Sequence, residues 1–396
     1  MLEPNSDNRQ GSLGGIDDDE RRFAALRLQL ARTLCDIVVL PATRISANER
    51  SLAGDVLLQV LQGVDEAARI DVATRIARVP ESPPPLMRFF LLDAPAVAET
   101  LLKRNAPLPA ALLIECARRG GPAHRLAVAS RTDLTAEIVD ALIEFDERDV
   151  IRAALRRDDY HLSPHAVDAL VARSATDRDL QIALMRRPEL EPAHGFLMFW
   201  WMDGERRKRI LTRFALNRAV LQDGIVDLYP KLRGTRRPDP LGRGALTRLD
   251  PRHRPRGVGG ESVGHDVVLR TLAAARENAG EEIVEAVSLV AGVSRELASR
   301  ALRDPGGEPF AVIAKSLGAP RDEFYRMLTE PLSANAMSPA EAEALLDVFD
   351  SMSRDYARAI LRYWDWKSNP RVANIVSIIA ARDEALMGAI DESEGV

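Results

Sequence analysis

From Arg21 onward, apolar residues recur at spacings of three and four. Phe23, Leu26, Leu30, Leu34 and Ile37 mark one stripe of an amphipathic helix, and Pro41 stops it. Ser46-Ala47-Asn48-Glu49 has the form of a capping box, and Leu52, Val56, Leu57 and Val60 supply the face of the helix that follows. Gly63 closes that helix, Val64–Val79 predicts another, and the prolines at 83–85 interrupt the pattern again. Alternation of apolar and polar residues between Asn-Gly or Asp-Gly turns, the signature of hairpin strands, does not occur.

Between about 100 and 210 the pattern repeats. KRNAPLPAALLIECARRG, SRTDLTAEIVDALIEFD, RRDDYHLSPHAVDALVARS and RRPELEPAHGFLMFWW can be set under one another. Each carries arginine, a short polar turn, a leucine, a cap-like residue or proline, and then an apolar helix. The shared leucines are Leu108, Leu134, Leu162 and Leu190, separated by 26, 28 and 28 residues, a period typical of stacked helical hairpins. Thr135 and Ser163-Pro164 carry helix-start signals. A unit of this length holds two short helices that cannot bury their apolar faces alone, so each must stack on the next. The expected fold is all-α, a HEAT-like helical-repeat solenoid followed by a second helical block.

The pattern breaks after Tyr229. Residues 231–256 carry nine Lys and Arg against Asp239 and Asp250, amid proline and glycine, which predicts a linker. Helical patterning resumes near Asp266, with a second capping box at Ser338-Pro339-Ala340-Glu341, and runs to about Ala389. The expected organisation is an acidic disordered tail at 1–20, a repeat domain at 21–229, a basic linker at 230–264, a C-terminal helical domain at 265–390 and a tail at 391–396.

Composition narrows the function classes. The 396 residues carry a net charge of −5, so no global basic field attracts nucleic acid or an anionic membrane. Two cysteines, Cys35 and Cys116, exclude a disulfide scaffold and imply a reducing compartment. The N-terminus lacks a signal-peptide layout and no apolar run is long enough to span a bilayer. A cytoplasmic location is expected.

Candidate chemistry is sparse. Gly260-Glu261-Ser262-Val263-Gly264 matches a nucleophile elbow, but an Arg/Pro/Gly segment precedes it where the elbow needs a buried strand. Gly259–Gly264 has the glycine spacing of a phosphate loop without its lysine and hydroxyl residue. His161 and His165 stand four apart but straddle a helix start, with no third ligand at a recognisable spacing. Asp158-Asp159 belongs to a turn. Catalytic, cofactor and metal residues are therefore expected to be absent. The heptapeptide Phe196–Met202 is apolar around the whole helix and reads as core. Trp364 and Trp366 cannot both face one stripe, so one of them is a candidate anchor for a partner. Arg206, Arg207 and Arg209 form a basic run that reads as a solvated helix end or a partner-binding stripe.

Two blocks carry a resemblance. FLMFWWMDGERRKRILTRFALNRAVLQDGIVDLYP and GVSRELASRALRDPGGEPFAVIAKSLGAPRDEFYRML are similar to segments of an uncharacterised, helical alphaproteobacterial family known as domain of unknown function 2336. The resemblance spans most of residues 21–388 and implies helices in HEAT-like repeats; it supplies no activity, cofactor or catalytic residue. The expected function is a non-enzymatic scaffold or adaptor that binds a protein partner through a helical-repeat surface. The alternative is a nucleic-acid-binding repeat protein that uses repeat-turn and linker arginines, which the net charge disfavours.

Overall fold

A computed structural model describes residues 11–104, 107–215, 255–330, 336–366 and 371–381, with side chains from residue 21 onward. Among the described residues the chain is all-α, and the one β feature is an isolated antiparallel bridge between Arg256 and Ser262. Two compact units divide between Ala166 and Val167.

The first unit contains α1 (Gly11–Val38), α2 (Ala47–Leu61), α3 (Glu66–Ile76), α4 (Pro84–Leu91), α5 (Pro95–Leu102), α6 (Ala110–Arg119), α7 (Pro122–Ala129), α8 (Ala136–Ile143) and α9 (Arg148–Leu155). Packing follows a two-step rule. Helices α2, α4, α6 and α8 touch in succession, and so do α1, α3, α5, α7 and α9. Local sequence sets where the helices start. Ser46 and Glu49 form the expected reciprocal cap, while Pro84, Pro95 and Pro122 occupy first-turn positions where their missing N–H costs nothing.

Several expectations are corrected here. Helix α1 begins at Gly11, ten residues inside the segment read as a tail, because extending an existing helix costs far less than nucleating one. Its apolar stripe also faces the wrong way for a core. Ala31, Cys35 and Val38 are buried, whereas Phe23, Leu26, Leu30 and Ile37 are exposed. Small side chains let α1 approach its neighbours closely, which leaves the larger ones outside. In α2 the expected face is split: Leu57 is buried with Ala53, Gly54 and Leu61, whereas Leu52 and Val56 are exposed.

The second unit contains, after α10 (Pro164–Arg173) which straddles the division, α11 (Arg178–Leu184), α12 (Pro192–Met198), a 3₁₀ turn (Phe199–Trp201), α13 (Gly204–Arg213), α14 (His265–Glu277), α15 (Glu281–Ala291), α16 (Arg295–Leu302), α17 (Glu308–Leu317), α18 (Arg321–Thr329), α19 (Pro339–Asp350) and α20 (Arg354–Trp364). Helix α17 is its centre. Nine of its ten residues are buried, as its all-round apolar sequence requires. Gly307 and Gly318 bracket it with φ of 77° and 81°, a left-handed conformation that other residues adopt only at a cost.

Within the second unit, which begins at Val167, α12 and α13 pack with C-terminal helices. Phe196, Phe199 and Trp200 meet Tyr356, Tyr363 and Trp364 at ring separations of 4.7 to 6.3 Å. An aromatic cluster of this size buries more apolar area together than either segment can alone. Of the expected linker, residues 230–254 lie outside the described residues, as does the tail at 391–396.

Candidate functional site

One concavity is a groove of about 730 Å³ along α18 and α19. Ala340 and Ala344, one turn apart, keep the α19 side low, and buried Leu346 lies beneath. Arg321, Asp322, Tyr325 and Arg326 rise from α18, and Glu343 and Asp347 rise from α19. A reciprocal cap at Ser338 and Glu341 sets where α19 starts, and Pro339 at its first position reinforces the start. A smaller concavity of about 180 Å³ on the other side of α18, bordered by Arg270, Arg276, Glu277 and Glu330, shares Arg326.

The groove carries both signs of charge. Arg321 donates to Asp350 at 2.9 Å, Arg326 pairs with Glu323, and Lys208 approaches Asp347 at 3.3 Å. The hydrogen bond to Asp350 raises the Arg321 guanidinium above its ordinary value. Burial holds Arg276, beside the smaller concavity, below its own. The lining sets two arginines, Arg321 and Arg326, among three carboxylates, Asp322, Glu343 and Asp347.

The residues picked out from sequence fall elsewhere. Trp364 is 2% exposed, and its indole N–H donates to the Phe196 carbonyl at 3.0 Å, so it is a core anchor and does not face a partner. Trp366 is half-buried just beyond α20. The Arg300 guanidinium lies between its ring and that of Trp200, at 4.6 and 4.2 Å. Burial lowers the Arg300 pKa from its usual value, Asp304 opposes that shift and Arg207 adds to it.

Arg207 is also internal. It donates to Asp304 at 2.7 Å and Glu308 at 3.2 Å, and its guanidinium lies 4.8 Å from the Phe199 ring. Burial opposes its charge, but the two carboxylates outweigh burial and raise its pKa. Arg206 folds back onto Asp203 at 2.8 Å, and Arg209 stays in solvent paired with Glu205 at 2.7 Å. The basic run is therefore split by helical periodicity. One arginine is internal, one pairs with the N-cap aspartate of its own helix and one is at the surface.

The repeat-turn arginines hold the turns together. Arg131, Arg157 and Arg187 each pair with an acid two residues on, Asp133, Asp159 and Glu189. Arg131 also donates to the carbonyls of Leu102 and Arg104, and Arg213 donates to those of Met185 and Arg187. In each case an arginine satisfies helix-end acceptors about 27 residues earlier, including the carbonyl of a preceding arginine. The histidines in this region do similar work. His124 and His194 each accept a hydrogen bond on Nδ1 from the N-cap N–H, and His194 Nε2 lies 2.7 Å from Asp168. That geometry places the His194 proton on Nε2.

His161 precedes α10 and His165 lies in its first turn, and among the described residues no three His, Cys, Asp or Glu side chains converge as metal ligands. Ser262 sits in the small bridge with Arg256, exposed, with Gly260 in the left-handed region two residues earlier. An isolated bridge gives neither the buried strand nor the strained turn of a nucleophile elbow.

The groove residues carried no motif in the sequence. Their one trace is Ala340 and Ala344 spaced by four amid charges, which is common on any solvated helix face.

Among its described residues the protein is all-α, and no helix is long and apolar enough to cross a membrane. The chain belongs to the bacterial family described as "Uncharacterised protein conserved in bacteria (DUF2336)", whose model matches residues 97–362. No curated protein and no solved structure matches the chain.

Proposed function

We propose that this protein is a HEAT-like helical-repeat adaptor that binds a segment of another protein in the groove between α18 and α19. The observation that carries the reading is the groove's lining: Ala340, Ala344 and Leu346 between a wall of mixed charge, with Arg321, Asp322 and Arg326, and an acidic one, with Glu343 and Asp347. Such a lining suits a side chain or helical ridge of a partner whose own charges alternate. The two-step packing of α1 to α9 supports the repeat assignment. The arginines that the nucleic-acid alternative relies on in the turns are occupied by acids and carbonyls, which leaves that alternative the weaker of the two.

A photo-crosslinking residue placed at Tyr325 in the native cell tests the proposal. The expected result is a discrete cross-linked protein that disappears when Ala344→Trp fills the groove. Cross-links to nucleic acid in its place, or the same protein product with Ala344→Trp, would overturn it.

A further inference from the structure

Helix α1 has two apolar faces, and the fold uses one. Helices α2 and α3 pack against it, and Ala31, Cys35 and Val38 are buried. Phe23, Leu26, Leu30 and Ile37 remain 61%, 60%, 47% and 37% exposed. Leu52 and Val56 on the adjoining α2 are exposed as well, so this first hairpin holds six of the nine large apolar side chains exposed among the described residues. Monomeric proteins rarely leave such a concentration open to water.

The spacing indicates what covers it. Phe23, Leu30 and Ile37 are seven residues apart, with Leu26 between the first two. This is the 3.5-residue repeat of a helix that meets another helix along a seam. The flanking charges then select the partner helix and its direction. Arg22 and Asp36 lie on the same flank of the seam, at nearly equal distances on either side of the midpoint between Leu26 and Leu30. A two-fold axis through that midpoint sets Leu26 of one copy against Leu30 of the other. It also brings Phe23 within a turn of Ile37 and places Arg22 beside Asp36 twice.

The Asp36 carboxylate is 64% exposed even while paired with Arg75, so it can take a second arginine. A parallel arrangement would form neither Arg22–Asp36 pair, because it sets the flank that carries both residues against the opposite flank of the second copy. In the antiparallel one Arg27 does not intrude, because its side chain lies against Gly63 at the end of α2.

We propose that the protein forms a homodimer through this face, α1 lying antiparallel on α1 of a second copy. This inference goes beyond the groove reading and uses different residues, so either can fail alone.

Sedimentation equilibrium on the full chain tests it. Wild type is expected to be dimeric, and Leu26→Glu with Leu30→Glu monomeric with unchanged helical circular dichroism, since both side chains are already exposed in the single copy. Arg22→Glu should weaken the dimer about tenfold, and adding Asp36→Arg should restore it by recreating both pairs with signs exchanged. A wild-type monomer at about 100 µM, where even a weak dimer would be populated, would overturn the proposal. So would a dimer that survives the two glutamates, and failure of the charge exchange to rescue would overturn the antiparallel arrangement. Cross-linking at Tyr325 should be the same in dimer and monomer, which separates this result from the fate of the groove reading.

Discussion

Buried side chains with a polar atom show most directly how the chain satisfies itself. Cys116 donates from Sγ to the Leu91 carbonyl at 3.2 Å, and burial pushes its thiol, like that of Cys35, up to about 11. A thiolate is the reactive form, so neither cysteine should be alkylated by iodoacetamide at pH 8 in the folded protein. Both should react once the chain is unfolded, and mass spectrometry of the two samples checks this. Rapid native labelling of either would contradict the burial described here. Arg131 follows the same logic with a charge. It is nearly sequestered, yet its donors meet Asp133 and two helix-end carbonyls, the condition under which a buried guanidinium is tolerated.

Between helices, the ion pairs link elements that the apolar pattern already brings together. Glu115 on α6 accepts from Arg88 on α4 at 2.7 Å and from Arg119 on its own helix at 2.9 Å. Hydrogen bonding from Arg88 is the main reason its carboxyl is held at about 2 rather than 4.5; burial opposes the shift and Arg119 adds to it. A lowered carboxyl pKa stabilises the fold above the unfolded value and loses that effect as pH falls through the folded value. The thermal midpoint of wild type should therefore exceed that of Glu115→Gln at pH 5. The gap should close between about pH 4.5 and 2, as melts across that range would show. The pair is solvent-exposed, so the difference is expected to be small.

Helix starts at this level were legible in advance. Ser46 and Ser338 cap as their S-x-x-E spacing requires, because a cap is made within four residues. Thr135 occupies the N-cap position without a side-chain cap hydrogen bond to the helix backbone, so the position was readable and the interaction was not. Facing was less legible. The stripe from Phe23 to Ile37 is a correct periodicity given the wrong destination, since period alone cannot say whether an apolar face meets its own chain or another.

Across the larger assembly of helices, the aromatic cluster ties α12 and the 3₁₀ turn to α20. Trp364→Ala should cost about 3–5 kcal/mol, the usual range for emptying a buried aromatic site. Urea unfolding followed by circular dichroism measures it, and a loss under 1 kcal/mol would mean that Trp364 is not the anchor described. The family match starts at residue 97, inside α5, and ends at 362, inside α20. It takes in the groove and all of the cluster except Tyr363 and Trp364, and α1 with its apolar seam lies outside it.

Helical content, cap positions, the 26- to 28-residue spacing and the absence of alternating strands all follow from interactions within a few residues or from regular spacing, so the amino-acid order was enough to read them. Three other features depend on residues far apart in the chain: the boundary at Ala166, the burial of Trp364 and Arg207, and the groove over Ala340 and Ala344. Each reflects which surfaces bury the most area when helices meet, and that competition is settled only once every helix is in place.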